Sequence, residues 1–282
     1  MKAACRLLPA LLLVLAATVF DRPAKAAGAL DRVFERGKIV VAINDDYAPL
    51  SFRDGEGRWR GFDVAVASEI AKRLGVGVEF VTPPWELVVS GRWRGRWEIA
   101  VNSMAATKPR ARNLDFAVAY YFAPVRAAVF KDDGRFQSVE DLHGKVIGVC
   151  TGCSYENYLL GRLDIIESFD PQPALALRQV EARAFADEWA AVEALGPESG
   201  DGIDAVIASE PTLTAMLKDD YPVRLLDGQV FNEPLAIAAE KGQFAMVARV
   251  KEILREMRAD GTLKRLSMEW FGVDYSQPAA LN

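Results

Sequence analysis

Residues 99–125 read IAVNSMAATKPRARNLDFAVAYYFAPV, and they carry the signals that decide the fold. The stretch begins with an apolar strand at residues 99–101, and the small polar residues Asn102 and Ser103 follow it. Arg110 then supplies a cation after a Thr-Lys-Pro step, and two tyrosines stand shortly before a proline. This order predicts a buried strand whose end presents polar groups and one fixed cation, followed by a crossing into another structural unit.

The rest of the chain alternates short apolar runs with helical periodicity. Strands are predicted at residues 38–43, 76–82, 125–130, 145–149, 204–208 and 235–239. Helices are predicted at residues 62–74, 155–160, 188–195, 212–217 and 245–258, and a last helix ends near residue 272. The alternation predicts an α/β fold with parallel sheets that helices cover on both sides.

Polar residues follow four of the predicted strands. They occupy residues 44–47, 102–110, 150–154 and 209–211. In sheets of this kind, ligands bind beyond the carboxyl ends of the strands. We therefore expect these polar segments to converge on one binding site.

The first 26 residues are a different kind of sequence. Lys2 and Arg6 precede an apolar run at residues 7–20, and a small-x-small sequence ends at Ala26. Because the run is too short to span a bilayer comfortably, we predict a secretory signal peptide at residues 1–26 and a periplasmic mature protein. An uncleaved anchor is the alternative, but no stop-transfer charge cluster follows the run.

The charge of the chain excludes some partners. The sequence has 34 basic and 39 acidic residues, and residues 1–26 hold four of the bases and one of the acids. The remaining 30 bases and 38 acids give a formal net charge of −8. An acidic exported chain is a poor candidate for nucleic acid or anionic lipid. The Arg and Trp repeat at residues 91–97 is therefore interpreted as Arg stems covering Trp faces.

The mature chain has two cysteines, Cys150 and Cys153, because Cys5 leaves with the signal. In an oxidising compartment we favour a structural disulfide that stiffens a pocket loop, with free thiols or a redox pair as alternatives. No metal or cofactor is predicted, since His143 is the only histidine and no cluster of metal-ligating residues accompanies the cysteines.

A series of short motifs, in order along the chain, resembles one known family. The motifs are Tyr47-Ala-Pro49, Gly61-Phe-Asp63, Pro84-Trp85, Met104-Ala-Ala-Thr107 with Arg110, Asp115-Phe116 with Tyr120-Tyr121, Leu142-x-Gly144-Lys145-x-x-Gly148-Val149, Asp204-Ala-Val206, Ala259-Asp-Gly-Thr-Leu263 and Trp270-Phe-Gly272. The family is that of the periplasmic solute-binding proteins of polar amino-acid ABC transporters, the family 3 extracellular solute-binding proteins. The resemblance covers essentially the whole mature chain.

The resemblance implies a two-lobed periplasmic binding protein fold of type II, with two α/β lobes joined by two hinge crossings. Lobe 1 would comprise residues 27–122 and 232–282, and lobe 2 residues 123–231, with the first crossing at residues 121–124. The implied protein is a monomer that traps a small carboxylate-bearing solute and delivers it to an ABC permease in the inner membrane.

Arg110 matches the arginine that family members place against the α-carboxylate of the ligand, and a guanidinium offers a planar fork for that group. Asn102 and Ser103 fall where small polar residues help to hold the same carboxylate, while Ala105 departs from the usual Ser or Thr. A solvated surface arginine and plain turn residues are the alternatives.

Tyr47 and Trp85 match aromatic positions that sandwich the ligand's side chain, and core packing is their alternative role. Ser154 matches a Ser or Thr at a helix N-terminus, where free N–H groups favour an anion. Its alternative role is that of an N-cap.

At Ser209 the sequence departs from the family pattern in a way that affects the identity of the ligand. Many amino-acid binders have an Asp at this position, which pairs with the α-ammonium of the ligand. A hydroxyl accepts a hydrogen bond but cannot neutralise a buried cation. Glu210 takes over this role if the loop shifts by one residue, so the ligand's charge stays open.

Two other functions compete with the carrier. Some relatives of this fold are periplasmic dehydratases of prephenate-like acids, which would need Glu210 or Glu86 as a general acid. The third class is a receptor domain or a helper protein of a periplasmic oxidoreductase. The sequence shows neither a Ser-His-Asp set nor a nucleotide-binding loop, which favours a carrier over an enzyme.

Overall fold

The structure is a computed structural model that describes residues 28–166 and 177–278. Its strands are β1 (Lys38–Ala42), β2 (Phe52–Arg53), β3 (Trp59–Arg60), β4 (Gly77–Val81), β5 (Ile99–Ala105), β6 (Leu114–Phe130), β7 (Val146–Cys150), β8 (Glu181–Phe185), β9 (Ala205–Ser209), β10 (Val223–Leu225) and β11 (Phe231–Glu240). Its α-helices are α1 (Ala29–Arg36), α2 (Phe62–Leu74), α3 (Trp85–Val89), α4 (Lys108–Ala111), α5 (Ser154–Leu159), α6 (Glu188–Glu193), α7 (Glu210–Lys218), α8 (Phe244–Ala259) and α9 (Thr262–Phe271).

The strands form two α/β lobes that share one hydrogen-bonded path, in the order β4-β1-β5-β11-β6-β9-β7-β8. Within each lobe the neighbours of β1 and of β7 pair in parallel. The predicted α/β class is confirmed. The sheet is mixed rather than fully parallel, because β6 and β11 run antiparallel to their neighbours.

Each lobe buries apolar side chains on both faces of its sheet. In β5, Ile99 and Val101 join one core while Ala100 and Met104 join another. In β9 of the second lobe, Ile207 and Ala208 likewise belong to different cores. Two-sided burial explains why these strands read as continuous apolar runs in the sequence.

The crossing between the lobes is a strand and not a loop. Residues 121–124 lie inside β6, a single strand of 17 residues, and Pro124 stands opposite Asn232 of β11. Ala123 packs in a core of the first lobe and Val125 in a core of the second. The domain limits at residues 122 and 232 stay a prediction.

Several predicted helix limits shift by a residue or two. The N-cap of α5 is Cys153 rather than Ser154, and α7 begins at Glu210 with Ser209 as its N-cap. Asp187 caps α6, and its side chain accepts from the amide of Ala190 (2.8 Å). The predicted signal peptide at residues 1–26 lies outside the described residues. Between residues 28 and 166 and between 177 and 278, no helix has the length and apolar character needed to cross a membrane.

Gly61 fixes the loop that follows β1. Its φ is 121°, and a Cβ placed on it would overlap the carbonyl of Leu50. At this close approach the amide of Phe62 donates to Pro49 O (3.1 Å), and that of Asp63 to Leu50 O (2.9 Å). The start of α2 therefore holds the loop that carries Tyr47.

We expect Gly61→Ala to lower the free energy of unfolding by about 3 kcal/mol, since it adds both backbone strain and a clash. Gly57→Ala is the matched control, because Gly57 also has a positive φ (75°) but no atom stands within 4 Å of its Cβ position. That variant should lose only about 1 kcal/mol. Urea denaturation of both variants measures the difference, and equal losses would contradict the clash.

Candidate functional site

The polar segments predicted to converge do meet, in a cleft between the two lobes. The first lobe contributes Tyr47, Trp85 and Arg110, the second contributes Gly152, Ser154, Tyr155, Glu188, Ser209 and Thr212, and β11 contributes Glu233. The cleft lies at the carboxyl ends of β1, β5, β7 and β9. This is the edge at which α/β sheets bind ligands.

Arg110 bridges the lobes from α4. The hydroxyl of Thr107 caps this helix and accepts from the Arg110 amide (3.4 Å). The guanidinium donates from Nη1 to Ala105 O (3.0 Å) and from Nη2 to Gly152 O (3.3 Å), and it lies 5.0 Å from the centre of the Trp85 ring. Two of its five N–H donors are used in this way within residues 28–166 and 177–278, so the fork keeps donors for a ligand.

Arg110 and Glu233 act on each other across the cleft. Burial lowers the pKa of Arg110 to about 10, and the negative charge of Glu233 opposes this effect. Burial likewise raises the pKa of Glu233 to about 7, against hydrogen bonds from the Ser154 and Tyr155 hydroxyls and the charge of Arg110. Arg110 therefore stays a cation at neutral pH.

Glu188 is a second buried carboxylate in the cleft. It is the first residue of α6, and its Oε1 accepts from the amide of Ser209 (3.4 Å). Burial raises its pKa, which the hydroxyls of Thr212, Tyr155 and Tyr47 partly offset. Tyr47 belongs to the first lobe, so its hydroxyl reaches Glu188 and Thr212 of the second lobe.

The predicted disulfide between Cys150 and Cys153 is present, with 5.6 Å between the Cα atoms. It closes the turn from β7 into α5. This turn presents the Gly152 carbonyl to Arg110 and leads directly to Ser154 and Tyr155. The disulfide therefore fixes the part of the second lobe that faces Arg110.

Asn102 and Ser103 differ in orientation. The Asn102 side chain is 1% exposed, and neither its Oδ1 nor its Nδ2 has a hydrogen-bond partner within the described residues. Ser103 has a φ of 52°, and its hydroxyl donates to Asp63 Oδ2 (2.9 Å) and accepts from Tyr121 (2.7 Å). The ligand role of Asn102 stays a prediction, while the Ser103 hydroxyl is occupied inside the first lobe.

The side chains of Ser209 and Glu210, at the start of α7, have different partners. The Ser209 hydroxyl lies 2.7 Å from that of Thr212 and accepts from the Thr212 amide (3.3 Å). Glu210 instead pairs with Arg126 (3.6 Å) and interacts with Tyr275. The loop shift that would bring Glu210 into the cleft is not seen, and Glu188 is the acid beside Ser209.

Sequence reasoning missed four residues of the cleft: Tyr155, Glu188, Thr212 and Glu233. Glu233 could have been identified from the sequence, because it is an acid within the apolar run of β11. Glu188 could not, because an acid in the first turn of a helix is an ordinary surface feature.

The family description for the bacterial extracellular solute-binding proteins, family 3, matches residues 39–273 of the chain. The chain belongs to this family. The match spans both lobes of the solute-binding protein and confirms the resemblance drawn from the motifs.

Three proteins similar to this solute-binding protein show the range of the family. The L-cystine-binding protein TcyJ of Escherichia coli K12 is 27% identical over 252 residues, which cover 89% of this chain and 88% of TcyJ. A probable amino-acid ABC transporter-binding protein of Haemophilus influenzae is 24% identical over 268 residues, with coverage of 94% and 96%. Among solved structures, the ancestral amino acid-binding protein AncCDT-1, a precursor of cyclohexadienyl dehydratase, has a TM-score of 0.71 and 30% identity, with coverage of 86% and 99%.

Asp63 hydrogen-bonds to Ser103 near the cleft, and its raised pKa can be tested by experiment. It is fully buried and accepts from Tyr120 (2.6 Å) and Ser103 (2.9 Å). Burial raises its pKa from 3.8 to about 7, although both hydrogen bonds act in the opposite direction. Between these two values the folded state holds a proton that the unfolded state has released, so stability falls as the pH rises.

We expect Asp63→Asn to flatten the pH dependence of the free energy of unfolding between pH 5 and 7, by up to about 1.4 kcal/mol per pH unit. Urea denaturation at intervals of one pH unit measures the slope. Asp54→Asn is the control: Arg58 hydrogen bonds lower the Asp54 pKa, so its titration lies below this range. An unchanged slope in Asp63→Asn would show that Asp63 does not titrate there.

Proposed function

We propose that the protein is the periplasmic substrate-binding component of an ABC importer, and that it captures an amino acid or a related small carboxylate by closure of its two lobes. The observation that carries the proposal is the position of Arg110. Its guanidinium stands in the cleft on the Trp85 ring, contacts both lobes and keeps unused donors. A guanidinium held in this way suits a carboxylate, which it can bind with two parallel hydrogen bonds.

Capture begins on the first lobe in this proposal. Arg110 is placed by the cap of Thr107 and by the Ala105 carbonyl, both on the same lobe, so the fork is in position before the lobes close. Asn102 would offer further hydrogen bonds from the same lobe, because its side-chain amide has no partner in the part of the chain that the structure describes.

Closure then brings the second lobe over the ligand. The Gly152 carbonyl accepts a hydrogen bond from Arg110, and Tyr47 interacts with Glu188 and Thr212. These contacts join the lobes, so a ligand that favours them shifts the population toward the closed state. Rotation about β6 and β11 is the hinge motion that this requires.

The proposed partners follow from the relatives. The Haemophilus influenzae relative is described as a probable amino-acid ABC transporter-binding protein. We extend this role to the present chain, with a permease in the inner membrane as partner. Export by the signal peptide at residues 1–26 completes the proposal, and it agrees with a family of extracellular proteins.

An enzymatic role is the second candidate, because the cleft contains acids with raised pKa values. The acids named from the sequence do not suit it: Glu210 pairs with Arg126, and Glu86 is exposed. Glu233, with a pKa of about 7, and Glu188 are better placed to hold a proton. We expect no turnover of prephenate or arogenate by the purified protein. If the protein did turn over either compound, and Glu188→Gln or Glu233→Gln abolished that turnover, the protein would be a dehydratase and not a carrier.

A thermal-shift screen of amino acids, organic acids and aromatic acids should reveal a ligand, because binding to the native state raises the unfolding midpoint. For that ligand, we expect Arg110→Ala to weaken binding by about 100-fold or more, since a charge-assisted bidentate contact is lost. Calorimetry measures the affinity, and circular dichroism checks the fold.

Arg112→Ala is the matched control for this experiment, because Arg112 is exposed and follows the same short helix. Its affinity should equal that of the unmodified protein. If Arg110→Ala retained full affinity, the carboxylate clamp would be wrong.

A further inference from the structure

The two lobes also face each other outside the ligand cleft. A cavity of about 290 Å³ lies between helix α7 of the second lobe and the segment that follows helix α9 in the first. Pro211 and Ala215 line it from α7, and Tyr275 lines it from the first lobe. Thr212, on another side of α7, interacts with Glu188 in the ligand cleft instead. The cavity is therefore a second place where a movement of the lobes changes the contacts between them.

Tyr275 is fixed to the first lobe. It is 8% exposed, it belongs to a core of that lobe, and its ring centre lies 5.5 Å from that of Phe271. Its amide donates to the Ser267 hydroxyl (2.8 Å), and its carbonyl accepts from the amide of Phe122 (2.8 Å). Phe122 belongs to β6, so Tyr275 is attached at the point where this strand passes from one lobe to the other.

Glu210 is fixed to the second lobe. It is the first residue of α7, and its neighbour Ser209 pairs with Val125 of β6. Its Oε2 lies 3.6 Å from Nη1 of Arg126, and Nη2 of the same arginine donates to the Leu226 carbonyl (2.9 Å). Strand pairing and an ion pair therefore set the position of the Glu210 carboxylate.

Tyr275 and Glu210 come together along one edge of β6. At Phe122, β6 pairs with β11 on its other edge, so Tyr275 lies on the edge where β9 pairs with Val125. Three residues of strand, about 10 Å, separate these two attachment points. The two side chains meet across this distance, because both line the cavity and the Tyr275 hydroxyl interacts with the Glu210 carboxylate.

This contact depends on the arrangement of the lobes. Tyr275 moves with the first lobe and Glu210 with the second, so a rotation about β6 changes the distance between them. A hydrogen bond to a carboxylate contributes more than one between neutral groups. The contact therefore favours the closed arrangement, and it does so without using Arg110 or the carbonyls that Arg110 contacts.

We propose that Tyr275 and Glu210 form a latch between the lobes, which keeps the closed arrangement populated in the ligand-free protein. This inference rests on the proposed function, because closure captures the solute there. It gives Glu210 a role that differs from the one predicted from the sequence, since the acid acts on lobe closure and not on the charge of the ligand. Arg126 is a positioning residue in this arrangement, because it orients the carboxylate.

Spin labels on the two sides of the cavity test the latch in the whole protein. Met268 in α9 and Leu217 in α7 are exposed and do not line the cavity, so labels on Met268→Cys and Leu217→Cys report the distance between the lobes. Pulsed electron paramagnetic resonance of the ligand-free protein should give a predominant short distance. Tyr275→Phe keeps the ring and removes the hydroxyl, and we expect it to raise the ratio of long to short distances about fivefold.

Further variants assign the effect to the contact itself. Glu210→Ala should give the same shift, and the double variant should give no further shift, because both changes remove one interaction. Tyr221→Phe is the matched control, since Tyr221 interacts with Glu193 of its own lobe, and it should leave the distances unchanged. Thermal denaturation checks that the variants fold. Unchanged distances in Tyr275→Phe or Glu210→Ala, additive shifts in the double variant, or a predominant long distance in the labelled parent would overturn the latch.

The two proposals fail in different ways, because the distance measurement needs no ligand. If Tyr275→Phe leaves the distances unchanged, the latch is wrong and the carrier function stands. If the thermal-shift screen finds no amino acid or other carboxylate that binds, the carrier function is wrong, and the distances still show whether the two side chains hold the lobes closed.

Discussion

The antiparallel pairing of β6 with β11 is the constraint on which the rest of the structure depends. The register runs from Phe231 opposite Val125 to Glu240 opposite Leu114, with irregularities near Ala236. β6 also pairs with β9 in the second lobe, and β11 pairs with β5 in the first. One ladder therefore connects both lobes, and any closing motion must occur as a bend or twist of these two strands.

The same ladder fixes the chemistry of the cleft. Arg110 lies just before β6, and Glu233 lies in β11 opposite Ala123. Strand register therefore fixes the position of Glu233, while the cap of α4 and the Ala105 carbonyl fix that of Arg110. Backbone hydrogen bonds set such a register for the whole strand, because a slip of one residue would turn every side chain to the other face.

Burial away from water is the largest influence on the pKa values of the ionisable groups on both sides of the cleft. Burial raises the pKa values of Asp63, Glu188 and Glu233 and lowers that of Arg110. Asp63 is satisfied by Tyr120 and Ser103, which suits a structural role in the first lobe. Glu188 lies instead among the hydroxyls of Thr212, Tyr155 and Tyr47, which come from both lobes. Burial raises the pKa of both carboxyl groups, and their hydrogen-bond partners oppose it.

The sequence by itself determined the α/β class, most helices and strands, and the family, because apolar periodicity and short motifs are local. It predicted residues 121–124 as a crossing, which the structure shows to be part of the strand β6. It placed Ser103 with the ligand, whereas the Ser103 hydroxyl donates to Asp63. Only the tertiary structure decided which acids face the cleft. Glu188 at the start of α6 and Glu233 in β11 come from distant parts of the sequence, and the burial that raises both of their pKa values exists only in the folded chain.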